Sequence, residues 1–282
     1  MSNRWAEIAV AATGDEAQEA TGALLTETAG CQGYLASLSA VTGYLPVDER
    51  LENTLLSLRG ALALCFPDSV PEITLKFVAE EDWADAWKQY FKPQRISDRF
   101  VVKPTWEPFP ASSSDLVIEI DPGMAFGTGL HATTRLCLRA LEKQVLPGFT
   151  VADVGTGSGI LAIGAALLGA SAVEATDIDP LAVRIARENV AVNHAGDRIT
   201  VREAAAPPAG TFQVVVANIL ADVILAMASA LFVATEPGGV LIVSGIIESR
   251  AGDVQRGLVA AGYALLQTDT EGEWVAISAR RA

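Results

Sequence analysis

The residues most able to do chemistry gather in a short stretch, Val151-Ala-Asp-Val-Gly-Thr-Gly-Ser-Gly159. Gly155, Gly157 and Gly159 let the backbone turn sharply and approach a ligand with no Cβ in the way. A loop made for a dinucleotide carries Gly-x-Gly-x-x-Gly and rests a pyrophosphate on the next helix N-terminus. Here Ile160 stands in the final glycine's place, so the nicotinamide fingerprint fails. Asp153 lies two residues before Gly155 instead. A carboxylate there repels pyrophosphate and attracts a cation. The second acid, Asp177, follows Gly155 by 22 positions, a spacing that suits a carboxylate accepting from both hydroxyls of a ribose. Nucleoside and positive charge together describe S-adenosyl-L-methionine, its ammonium end held near Asp153 directly or through water. A tight turn with no ligand is the alternative reading of the glycines.

Two further segments carry reactive side chains. The run Asp121-Pro-Gly-Met-Ala-Phe-Gly-Thr-Gly-Leu-His-Ala-Thr-Thr134 packs glycines, hydroxyls, an imidazole and an aromatic ring into one loop, a composition that fits a ligand lid better than a packing element. Thr133 and Thr134 equally suit capping of a helix over 135–141, and His131 equally suits pinning the loop by hydrogen bonds. Ala217-Asn218-Ile-Leu-Ala221 closes a strand, and in an open α/β sheet the strand's carboxyl end faces the ligand crevice. Asn218 is therefore expected to meet cofactor or acceptor nitrogen and to be the catalytic side chain, a turn-forming Asn being the alternative. Glu203, at another strand end, suits an adenine-facing position, a commonplace surface acid being the alternative reading. Asp179 before Pro180 reads as a helix cap.

These residues need a scaffold. From Leu116 onward short apolar runs alternate with helical patterns, predicting an α/β doubly wound, Rossmann-like seven-stranded sheet with a final antiparallel pair at one edge. Before it, residues 1–79 order as β-α-β-β-α-β, a small α+β unit of the ferredoxin-like kind. Its middle strands fall in Gly33–Leu45, with a turn near Val41–Gly43, and Leu51, Leu55, Leu58 and Leu62 share one helix face. Residues 80–110 read as an aromatic linker, with Trp83 and Trp87 one helical turn apart and Trp106 and Phe109 beyond. Residues 111–282 form the catalytic domain.

Composition bounds the partners. Twenty Lys and Arg against 34 Asp and Glu leave a net charge of −14, which disfavours direct nucleic-acid binding and suits a basic partner. Cys31, Cys65 and Cys137 lie far apart with no Cys-x-x-Cys, so neither a metal site nor a disulfide framework is expected, and a cytoplasmic location fits. No stretch reads as a membrane span or signal peptide.

The loop DPGMAFGTGLHATT, the stretch DVGTGSGILAIGAALLGA, the pair in TDIDP, the strand end VVANILA and the segment EDWADAWKQYFKPQRISDRFVVKPTW together resemble the PrmA family, the ribosomal protein L-eleven methyltransferases. Leu130 and Ala132 depart from the family pattern on either side of His131. The resemblance implies that Thr134, Gly155, Asp177 and Asn218 contact S-adenosyl-L-methionine and that the N-terminal unit grips ribosomal protein L-eleven. It further implies methylation of lysine side chains and an N-terminal α-amine up to the trimethyl state. The strand end lacks the Pro-Pro-Tyr that follows Asn in planar-nitrogen methyltransferases, which favours an aliphatic amine. A monomer is expected. Another protein lysine or a small amine as acceptor, and a non-catalytic binding module, are the competing readings.

Overall fold

A computed structural model describes residues 4–31, 33–37, 39–47, 50–67, 69–79, 92–121 and 131–282. Its contacts divide the chain into Met1–Phe91 and Lys92–Ala282. The reading of Trp83 and Trp87, and the lid residues 122–130 with Leu130, lie outside the described residues.

The first unit has the expected order: β1 (Arg4–Ala11), α1 (Asp15–Glu27), β2 (Tyr34–Ala36), β3 (Ala40–Pro46), α2 (Leu51–Cys65) and β4 (Ile73–Ala79). The sheet runs β2-β3-β1-β4 with every neighbour antiparallel, the split βαβ topology. Alternation drives it: Ala6, Ile8 and Val10 of β1 are buried with Val41 and Leu45 of β3 against Leu25, Leu58 and Leu62 of the helices. No turn falls at Val41–Gly43: Ser37 N–H donates to Ala40 O at 2.8 Å between β2 and β3, and Gly43 sits within β3. Its reason is packing: a Cβ on Gly43 would lie 2.7 Å from Cys31 Sγ.

The second unit is built on a seven-stranded sheet of order β10-β9-β8-β11-β12-β14-β13. Its strands are β8 (Thr150–Val154), β9 (Ala172–Asp177), β10 (Ile199–Glu203), β11 (Phe212–Asn218), β12 (Thr235–Ile247), β13 (Tyr263–Glu271) and β14 (Trp274–Arg281). Strands β8 to β12 pair in parallel, while β14 inserts antiparallel between β12 and β13. The terminal hairpin thus forms the antiparallel edge that the sequence suggests.

Period-two burial explains the layers. On β8, Val151 joins a core with α3 (Ala132–Gln144), α4 (Ile160–Leu167) and α5 (Pro180–Val192). Ala152 and Val154 join the opposite core with α6 (Ala221–Ala234) and α7 (Glu248–Ala260). Strands buried on both faces read as continuous apolar runs, as Val214–Ala217 does. Within the stretch expected to be linker, β5 (Gln94–Arg95) and β6 (Phe100–Lys103) are strands, and β6 pairs in parallel with β7 (Leu116–Glu119). Phe100, Val102 and Ile118 belong to the α3–α5 core. Asn193, at the end of α5, secures β7 by accepting from Glu119 N–H at 2.8 Å and donating to Glu119 O at 2.7 Å.

Candidate active site

Parallel pairing sets the site residues in one row. Ala217 pairs with Val154, Val154 with Thr176, and Thr176 with Arg202. One residue further on, Asn218, Gly155, Asp177 and Glu203 therefore stand side by side at the sheet's carboxyl rim. Asp177 and Asn218 are two strand spacings apart, about 10 Å, with the glycine turn between them.

That turn is built from its own hydrogen bonds. Gly155 and Thr156 both donate their N–H to Thr176 O, at 2.8 and 2.9 Å. Gly157 donates to Asp177 Oδ2 at 2.8 Å, and Asp179 N–H donates to Asp177 Oδ1 at 3.0 Å. Each carboxylate oxygen has a second lone pair, so Asp177 retains capacity for ribose hydroxyls. Gly155 has φ +74°, and a Cβ there would lie 2.4 Å from Ile219 Cγ2. Only glycine meets both demands. Asn189 of α5 donates to Ser158 O at 2.8 Å, tying the loop from behind. Ile160, the residue that excluded a dinucleotide loop, is buried at the start of α4.

Asp153 is fully buried. Its Oδ2 accepts from Thr156 Oγ1 at 2.7 Å and from Ala162 N–H at 3.0 Å, while Oδ1 has no partner. Burial pushes its pKa up to about 7, against the two hydrogen bonds that favour the charge. The acid is thus both a brace for the loop and a source of one unused acceptor.

Asn218 is half-buried, and its carboxamide makes no hydrogen bond among the described residues. The backbone beyond it is fixed: Ile219 N–H donates to Ser244 O at 3.1 Å. Gly245, with φ +84°, lets that approach happen, since a Cβ would lie 2.3 Å from Ile219 O. Sequence reasoning missed Gly245; its signal is a glycine directly after the β12 residue that pairs with Asn218. Glu203 is exposed at the rim.

Thr134 lies in the first turn of α3, 1% exposed, and its Oγ1 has no partner among the described residues. The cap of α3 corrects the sequence reading: His131, not Thr133 or Thr134, is the N-cap. Its Nδ1 accepts from Thr133 N–H at 3.3 Å and lies 2.7 Å from Thr133 Oγ1. Burial and the neighbouring Arg135 lower the His131 pKa, against Glu273, so the neutral ring that can accept is favoured. The helix begins at Ala132 rather than Arg135 because the imidazole supplies the acceptor. Asp179 caps α5 as expected, accepting from Leu181 N–H at 2.8 Å.

The residues fit S-adenosyl-L-methionine. A bare backbone turn, an acid facing it, and two buried oxygens without partners, Asp153 Oδ1 and Thr134 Oγ1, are what a cationic nucleoside needs. No cluster of metal-ligating side chains occurs among the described residues, and no described helix is long and apolar enough to cross a membrane.

Comparisons with known proteins agree. A family model described as ribosomal protein L11 methyltransferase (PrmA) matches residues 9–282. A protein of that name from Pelotomaculum thermopropionicum is 53% identical over 245 residues, 86% of this chain and 80% of its own length. Another, from Geobacter metallireducens, is 49% identical over 243 residues, 85% of this chain and 81% of its own length. The crystal structure of ribosomal protein L11 methylase from Lactobacillus delbrueckii subsp. bulgaricus aligns with a TM-score of 0.64 at 34% identity, covering 68% of this chain and 99% of that one. The chain belongs to the ribosomal protein L11 methyltransferase (PrmA) family.

Proposed function

We propose that this enzyme transfers methyl groups from S-adenosyl-L-methionine to aliphatic amines of ribosomal protein L11, lysine side chains and the N-terminal α-amine, and that Asn218 orients the accepting nitrogen. The observation that carries this reading is the Asn218 carboxamide, held at the strand end beside the glycine turn with no hydrogen-bond partner among the described residues. When bound, S-adenosyl-L-methionine supplies a methyl group already activated on a cationic sulfur. The protein's work is then orientation and desolvation.

Asp177 is assigned to the ribose, Gly155 and Gly157 to the backbone cradle, and Asp153 and Thr134 to polar groups of the cofactor. A lysine amine with a pKa near ~10.4 is mostly protonated at neutral pH, so the acceptor must lose its proton before attack. Solvent can take that proton. An amide oxygen at Asn218 accepts from the amine N–H and directs the lone pair without the charge that would stabilise the unreactive ammonium. The net charge of −14 suits a lysine-rich protein acceptor.

Incubating the purified protein with labelled cofactor and ribosomal subunits lacking these methyl groups tests the acceptor. Mass spectrometry should place the label on L11. A label found solely on another protein overturns the assignment.

A further inference from the structure

The terminal hairpin reaches back to the helix that carries Thr134. Glu271, the last residue of β13, and Trp274, the first of β14, face each other across the hairpin turn. The Glu271 carboxylate bridges two arginines one helical turn apart on α3. Its Oε1 accepts from Arg135 Nε at 2.6 Å and Nη2 at 2.5 Å, and its Oε2 from Arg139 Nη1 at 2.6 Å. Glu271 and Arg135 are both about three-quarters buried, with side-chain exposures of 27% and 25%. The Trp274 ring meets His131, the cap of α3, edge-on at 4.8 Å and 68°. A third link, Lys143 to Asp269 at 3.9 Å, extends the line along the helix. Arg139 also donates through Nε to Ile96 O at 2.8 Å, joining the small sheet to the same clamp.

Two of these links, Glu271 to Arg135 and Trp274 to His131, meet at the first turn of α3. Thr134 lies between the two points of grip, one residue before Arg135 and three after His131. Its hydroxyl is buried and without a partner among the described residues. A buried hydroxyl with nothing to bond costs free energy, and the helix end that holds it there must be restrained from both sides. We propose that Glu271 and Trp274 are positioning residues for the methyl transfer: through Arg135 and His131 they set the first turn of α3, and with it the Thr134 hydroxyl, for cofactor capture. The proposal rests on the reading that Thr134 contacts the cofactor.

A carboxylate bridging two arginines, one on each oxygen, gives direction as well as attraction. An exposed pair would contribute little, but this one is partly buried and acts on a helix end whose cap meets Trp274 edge-on. Loss of Glu271 removes its grip on Arg135 and loosens the first turn of α3. The consequence falls on cofactor affinity rather than on turnover once the cofactor is in place.

The test compares Glu271→Gln, Trp274→Phe, Thr134→Val and the double variant Glu271→Gln/Thr134→Val, with Glu271→Asp as the conservative rescue. Cofactor Kd is measured by calorimetry, KM and kcat by methylation of L11, and amide exchange over residues 132–136 by mass spectrometry. Glu271→Gln is expected to weaken cofactor binding about tenfold with kcat changed less than about twofold. Exchange in the first turn of α3 should rise, Glu271→Asp should restore part of the affinity, and the double variant should be no weaker than the Thr134→Val single. Should Glu271→Gln and Trp274→Phe both bind normally while Thr134→Val binds weakly, positioning fails and the site reading survives. Additive losses in the double variant also overturn positioning through Thr134. If Thr134→Val itself binds normally, the reading beneath the proposal is wrong and the proposal goes with it. Trp274→Phe keeps an aromatic ring in the strand, so the idea remains testable if Glu271→Gln folds poorly.

Discussion

The two sides of the site differ in how complete they are. On the β8–β9 side, the backbone N–H groups that shape the turn are taken up by the protein: those of Gly155 and Thr156 by Thr176 O, those of Gly157 and Asp179 by the Asp177 carboxylate. On the β11–α3 side, the Asn218 amide and the Thr134 hydroxyl have no partner among the described residues. The first side is a preformed cradle that costs nothing to organise when a nucleoside arrives. The second holds polar groups open at the expense of stability, which is what an orienting site requires. Substitutions at Asn218 and in the cradle should accordingly separate turnover from binding.

The largest effect belongs to the open side. Asn218→Ala should lower kcat for L11 methylation by roughly hundredfold, the scale seen when an oriented polar group is removed from a reacting centre, while cofactor Kd changes little. Steady-state kinetics beside calorimetry would decide; an equal loss in both would move Asn218 to the binding side of the comparison. Next comes the cradle. Gly155→Ala places a Cβ 2.4 Å from Ile219 Cγ2 at φ +74° and should destabilise the protein by about 2–3 kcal/mol, read by denaturant unfolding. A wild-type midpoint would show that the turn yields freely and is not preformed. Asp177→Ala removes the acceptor of two backbone N–H groups and, with it, the proposed ribose contact. It should weaken cofactor binding by about thirtyfold with kcat nearly kept, given ~2 kcal/mol for hydrogen bonds to a charged group. Unchanged affinity would remove the ribose assignment.

The cradle was the more legible side because its logic is local. A glycine triplet between a buried strand and a helix, an acid before it and an acid at the next strand's end can be read along the chain, and Asp179-Pro180 marks its helix start by chemistry alone. The open side depends on what lies far off in sequence. That Thr134 is fixed by Glu271 and Trp274 needs the hairpin to return across some 136 residues, and no periodicity reports such a contact. Nor did the sequence mark His131 rather than a threonine as the cap, since hydroxyls are the usual choice and the imidazole acts here because burial keeps it neutral. Strands β5 and β6 were hidden for a different reason: they are short, and prolines and aromatics around them read as linker. Gly43 shows the converse error, a turn inferred from a glycine that is there to admit Cys31.

Asp153 joins the two sides, and its titration sharpens the comparison with the smallest expected effect. Its carboxyl is fully buried and its pKa stands at about 7, raised from 3.8 chiefly by desolvation. For a carboxylate raised on folding, the favourable contribution is complete below the unfolded value and is lost as pH rises through the native one. The unliganded protein therefore loses stability between pH 3.8 and about 7 on account of this residue. A bound cation reverses the preference, because it stabilises the charged form. Cofactor binding below pH 7 must then expel a proton from Asp153, and apparent affinity should fall by up to about tenfold per pH unit as pH drops from about 7 to 5.5. That interval stays below the range in which an α-amino group of the ligand titrates, about 7.7–8.0. Calorimetry in two buffers of different ionisation enthalpy counts the proton directly. Affinity that is flat across the interval, with no proton released, would mean that Asp153 braces the turn without sensing the cofactor's charge, and that the unused Oδ1 belongs to the cradle rather than to the ligand.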